Sequence, residues 1–75
     1  MRVILNSVEK VTDFVNIIKN AEGDIDLSDR RYFVDAKSIL GIFSLDLTKP
    51  LNIEFHGSES QASLENTLSK FSVAN

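Results

Sequence analysis

The hydrophobic pattern of this chain switches between two periods, and that switching limits its fold more than any other feature. "DIDLS" and "LNIEFH" alternate, which places Ile25 with Leu27 on one strand face, and Leu51 with Ile53 and Phe55 on another. "VEKVTDFVNII" instead repeats at helical spacing, with Val8, Val11, Val15 and Ile18 joined by Phe14 and Ile17. "MRVILN" reads as a first strand with Val3 and Leu5 on one face, and "RYFVDA" as a strand presenting Tyr32, Val34 and Ala36 together. "SILGIFSL" reads as a short helix, and a last helix carries Leu64, Leu68 and Phe71 as its stripe. The order is β-α-β-β-α-β-α. Amphipathic helices interleaved with amphipathic strands predict an α+β two-layer sandwich, with helices covering one face of an antiparallel sheet.

Local signals set the boundaries. Asn6 and Glu9 have the spacing of a capping box at the first helix, with Ser7 as a rival cap. Gly23 stands where a helix-ending residue is expected, and Asp29-Arg30 makes a tight turn that pairs the second and third strands as a hairpin. Gly41, inside a helix, costs about 1 kcal/mol relative to Ala, which points to a packing or close-approach reason for it. Pro50 ends that segment. Ser58 and Gln61 form a second capping box, and the tail "SVAN" is expected to fray.

At 75 residues the chain is expected to form one domain over 1–75, with no linker or repeat. Without cysteine it has no disulfide, thiolate metal site or Cys nucleophile, a composition suited to the cytoplasm. The net charge is −3 and the longest basic run is Arg30-Arg31, so the footprint of a nucleic-acid binder is missing. Apolar runs such as "ILGIF" are too short to span a membrane, and "MRVILNSVEK" lacks a signal-peptide cleavage site.

Few residues suggest chemistry. Asp24, Asp26 and Asp29 in "DIDLSD" invite a calcium reading, but the EF-hand spacing fails and a solvated strand face is expected. Arg30-Arg31 reads as a solubilising hairpin tip, with anion binding as its alternative. His56, the one histidine, reads as an exposed strand-end residue. No Ser-His-Asp set, catalytic carboxylate pair or Gly-rich phosphate loop can be assembled, so no enzyme, metal or cofactor is expected.

The stretch "VDAKSILGIFSLDL", after a hairpin and before an alternating strand and a final helix, resembles the HPr family. These are the phosphocarrier proteins of the bacterial sugar phosphotransferase system. The resemblance covers about residues 2 to 71, and its specific part is Lys37 to Gly41 with Ser44-Leu45. It implies a four-stranded antiparallel sheet in order 1-4-2-3 with three helices on one face. It also implies a departure. Family members carry a phosphorylatable histidine at the start of the first helix, then an arginine two residues on and a proline. Here Ser7, Glu9 and Lys10 fall on those positions, and the preceding loop is about two residues shorter. A serine phosphate is too stable an ester to replace a phosphoramidate, and Glu9 repels a phosphoryl group that the arginine would attract.

Ser38 reads as the N-cap of the "ILGIF" helix. The resemblance implies a second role, because the serine at this position is a regulatory phosphorylation site in many Gram-positive members. A phosphate of about −1.5 to −2 charges there sits at the positive end of a helix dipole. Ile39, Leu40, Ile42 and Phe43 cannot all face inward on so short a helix; Ile42 is expected in the core, with Leu40 and Phe43 partly exposed. In the family this helix and the start of the first helix dock partner proteins, which implies a binding surface of Ser7, Lys37, Ser38, Ile39, Leu40 and Phe43. The implied partners are phosphotransferase-system proteins or a transcription regulator, with a serine kinase. The chain is thus similar to the catabolite-repression HPr-like regulators, which lack the histidine and keep the serine. The alternatives are a phosphocarrier that uses His56, and an interaction domain outside that pathway.

Overall fold

The computed structural model describes residues 1–57 and 61–73. The elements run β1 (Arg2–Val3), α1 (Val8–Ile18), β2 (Asp24–Ser28), β3 (Phe33–Asp35), α2 (Ile39–Phe43), β4 (Leu51–His56) and α3 (Gln61–Thr67), and α3 tightens into a 3-10 turn over Leu68–Phe71. The four strands form one antiparallel sheet in the order β1-β4-β2-β3. This is the α+β architecture that the periodicity predicts, in the strand order that the resemblance implies.

The core forms where the two periodicities meet. Val11, Phe14 and Ile18 of α1, Ile42 of α2, and Leu68 and Phe71 of the last turn pack on Ile25, Leu27, Leu51 and Ile53 of the sheet. Leu27 pairs with Ile53 across β2–β4 and with Val34 across β2–β3, so the inward residues lie in register. The opposite face is open to solvent. Across it run Arg2, Asn52, Ser28 and Phe33 as one row, and Glu54, Asp26 and Asp35 as the next.

The structure corrects several local expectations. Ser7, not Asn6, caps α1, its hydroxyl accepting from the Lys10 N–H at 3.1 Å. Val8 is exposed and outside the stripe. Gly23 has a positive φ of 82° but lies in the connection to β2, because α1 already ends at Ile18. The third strand keeps only Phe33–Asp35, and Tyr32 is exposed in the loop instead of inward with Val34 and Ala36. That loop covers four residues, since Ser28 pairs with Phe33. The first strand is shortened to Arg2–Val3 because the chain beyond it turns to meet the C-terminal turn: Ile4 N–H donates to the Phe71 carbonyl at 2.8 Å. Ser72 bridges Val3, and Val73 N–H donates to the Arg2 carbonyl at 3.1 Å, so this part of the tail is tied down and covers the free side of β1. Of the second capping box, Ser58 lies outside the described residues.

Candidate functional site

Helix α2 begins from a polar turn. The Asp35 carboxylate accepts from the Lys37 N–H at 2.9 Å, and Ser38 N–H donates to the Asp35 carbonyl at 2.9 Å. Ser38 then caps the helix, its Oγ accepting from the Gly41 N–H at 3.2 Å. The hydroxyl is on an exposed residue, so capping leaves it open to solvent. At the other end, Ser44 Oγ donates to the Gly41 carbonyl at 2.5 Å.

Gly41 explains how so short a helix stays on the sheet. A Cβ there would stand 3.2 Å from the Val34 Cβ and 3.2 Å from Ser38 Oγ. The missing side chain lets α2 approach β3 closely and keeps the cap in place, the close-approach role that its position inside a helix predicts. Ile42 is fully buried and anchors the inner face. The outer face is apolar: Leu40 is 80% exposed, Phe43 41% and Ile39 37%. An apolar face left in water beside a solvent-facing hydroxyl carries no structural benefit of its own.

The other residues singled out in the sequence do not all gather here. Lys37 extends to the chain just past α1, its ammonium donating to the Ala21 carbonyl at 2.6 Å and the Gly23 carbonyl at 3.3 Å. It compensates carbonyls after the C-terminal end of that helix and so fixes the start of α2 against it. Ser7 lies at the opposite end of α1, which is about 16 Å long at 1.5 Å per residue. It lines a groove of about 340 Å³ with Glu9, Lys10, Asp13, Lys70 and Phe71, which holds no α2 residue. Lys70 stands over the Phe71 ring there, 5.2 Å from its centre.

His56 is on the open face of the sheet, at the C-terminal end of β4. Its Nε2 is 3.0 Å from Asp26 Oδ2 and 3.7 Å from Glu54 Oε2, and Asp24 is its cross-strand partner. Carboxylates therefore surround the one imidazole.

Asp29 is a residue whose importance sequence reasoning missed. One carboxylate oxygen accepts from the Arg31 and Tyr32 N–H groups, both at 2.8 Å, and the other from the Asp46 N–H at 3.0 Å. The bond to Asp46 ties the hairpin loop to the segment after α2. Only the first two bonds have a sequence signal, an aspartate opening a turn. These donors, the Asp46 N–H foremost, hold the Asp29 carboxyl below its usual range. The Thr48 hydroxyl and N–H do the same for Asp46. Both depressed groups favour the folded state while ionised. Their contribution is therefore complete above the ordinary value of 3.8 and is lost as pH falls below it. In acid titration followed by circular dichroism, Asp29→Asn is expected to lower the neutral-pH melting temperature and flatten its fall below that value. An unchanged acid limb would show that these bonds do not couple to folding.

Substitutions at Ser38 separate cap from charge. Ser38→Ala loses the cap and is expected to cost about 1 kcal/mol. Ser38→Asp keeps a capping oxygen and is expected to melt close to the parent protein while carrying the added negative charge. Equal melting losses for both would mean that the hydroxyl bond is not what holds α2.

Among the described residues no helix is long and apolar enough to cross a membrane, and no group of three or more His, Asp or Glu could hold a metal ion. No known family model matches this chain, and no curated protein matches it either.

Proposed function

We propose that this chain is a divergent HPr-like protein that binds a protein partner through α2, with phosphorylation of Ser38 tuning that binding, and that it does not carry phosphoryl groups. The observation that carries the reading is the outer face of α2, where Leu40, Phe43 and Ile39 stand exposed beside the Ser38 hydroxyl. Apolar surface on a partner excludes water from such a face, and a phosphate two residues from Leu40 would charge it. The strand order is the one that the resemblance implies, and the role in carbohydrate uptake or its regulation rests on the resemblance of the sequence.

Two features weigh against the carrier alternative. The residue at the family's histidine position is Ser7, which has no imidazole nitrogen to form a labile phosphoramidate, and its groove sets the carboxylates of Glu9 and Asp13 beside Lys10 and Lys70. His56 has its own carboxylates within reach, and they oppose an incoming phosphoryl group by like charge. In this reading the protein acts by binding and catalyses nothing.

Photo-crosslinking in the protein's own cells tests the surface. A photoreactive residue in place of Leu40 or Phe43 is expected to trap one discrete protein, and the same residue in place of Phe33 to trap none. Equal capture from both faces, or capture from Phe33 alone, overturns the assignment to α2.

A further inference from the structure

The Arg30-Arg31 pair, read above as a hairpin tip with anion binding as its alternative, is part of a larger arrangement. Its loop faces the chain between α2 and β4 across a cleft of about 540 Å³. Arg2 from β1 and Lys49 from the α2–β4 connection line the same cleft. A chain of net charge −3 thus gathers half of its eight Lys and Arg side chains around one hollow. None of the four is in a salt bridge or donates a side-chain hydrogen bond among the described residues; Arg31 stacks its guanidinium over Tyr32, 5.9 Å from the ring centre, and attracts the Asp29 carboxylate at longer range, as Lys49 does that of Asp46.

Two carboxylates, Asp29 and Asp46, also line the cleft. They do not make it a cation site, because the loops already use their oxygens. Asp29 takes three backbone N–H groups and Asp46 takes the N–H and hydroxyl of Thr48. By joining the two loops, Asp29 also sets the walls of the cleft before anything binds. Four cations against two carboxylates leave a surplus of two positive charges.

We infer that this cleft is a binding site for a small phosphorylated metabolite, held by its phosphomonoester dianion. The charge of such a group matches the surplus. Three guanidinium forks, one from β1 and two from the hairpin loop, suit a tetrahedral oxyanion with several free oxygens, where one fork would satisfy a carboxylate. The volume exceeds that of a phosphate group and lies in the range of small-molecule sites, which leaves room for an organic portion along Pro50 and Asn52. The site is separate from the apolar face of α2, so it stands whether or not that face binds a partner.

The test is a two-dimensional amide NMR titration of the whole chain at fixed ionic strength, with inorganic phosphate and then ribose 5-phosphate as probes. Saturating shifts are expected at Arg30, Arg31, Asp46, Lys49 and Asn52, with ribose 5-phosphate saturating at a lower concentration than phosphate. The double variant Arg30→Gln with Arg31→Gln keeps the backbone N–H groups that hold Asp29 and is expected to weaken binding by about tenfold or more. Lys19→Gln, outside the cleft, leaves it unchanged. Shifts that never saturate, that appear equally with chloride, or that survive in the double variant overturn the proposal. A phosphoserine peptide that binds more tightly than ribose 5-phosphate also overturns it, and assigns the cleft to phosphorylated protein instead.

Discussion

Phe14→Ala is expected to lower the melting temperature by roughly 15–30 °C, whereas Phe33→Ala leaves it nearly unchanged. The two side chains are chemically the same and differ in where the fold puts them. Phe14 is fully buried at the centre of the α1 stripe and meets Phe71 edge to face, with ring centres 5.9 Å apart at 75°. Truncating a buried phenylalanine costs about 3–5 kcal/mol, because transfer energy is lost and a cavity remains. A domain of this length has roughly 4–11 kcal/mol of total stability, so the change removes a large share of it. Phe33 is 75% exposed on the open face of β3 and leaves no cavity when cut back. Thermal melts by circular dichroism measure both. A fall of less than about 5 °C for Phe14→Ala would mean that the helix and the last turn do not share one core.

The second large effect is on binding. Leu40→Asp is expected to weaken the complex with the crosslinked partner by about 30-fold or more, as loss of a central apolar anchor does. It should leave the melting temperature of the free protein almost unmoved. Leu40 is in the first turn of α2 and 80% exposed, so the substitution opens no cavity, and an acidic residue there suits the helix dipole. It also places negative charge two residues from Ser38, imitating in part what a phosphate would add. Ile42→Ala is the informative opposite, since that side chain is fully buried: it should cost about 2–5 kcal/mol of stability. Isothermal calorimetry with the purified partner separates the two. Full affinity in Leu40→Asp would remove α2 as the docking face.

Much of the fold is legible in the sequence because burial follows period. Ile25 and Leu27, Leu51 and Ile53, and Val11, Phe14 and Ile18 lie inward as their spacing requires. Ile42 inward with Leu40 and Phe43 outward follows from the length of α2, since a helix of five residues has one inner position to fill. What the sequence hides are polar bonds between residues distant along the chain. Lys37 reaches carbonyls 14 and 16 residues away, and Asp29 holds an N–H 17 residues away. No local pattern announces such partners, because they exist only once the sheet order brings the loops together. The same holds for Ser72 and Val73, whose polar, small-residue tail reads as frayed until β1 appears beside it. The anion cleft is hidden for a related reason. The Arg30-Arg31 pair is adjacent in sequence, but Arg2 and Lys49 join it only through the β1-β4-β2-β3 order.

In the proposed function, Ser38 makes α2 a regulated surface and the protein is not a phosphoryl carrier. The intact mass of the protein purified from its own cells, taken before and after mild acid and followed by peptide mapping, tests it most directly. A phosphate adduct that survives acid and maps to Ser38 is expected. A phosphate that is lost in acid and maps to His56, or an unmodified Ser38 under every carbon source tried, would contradict it.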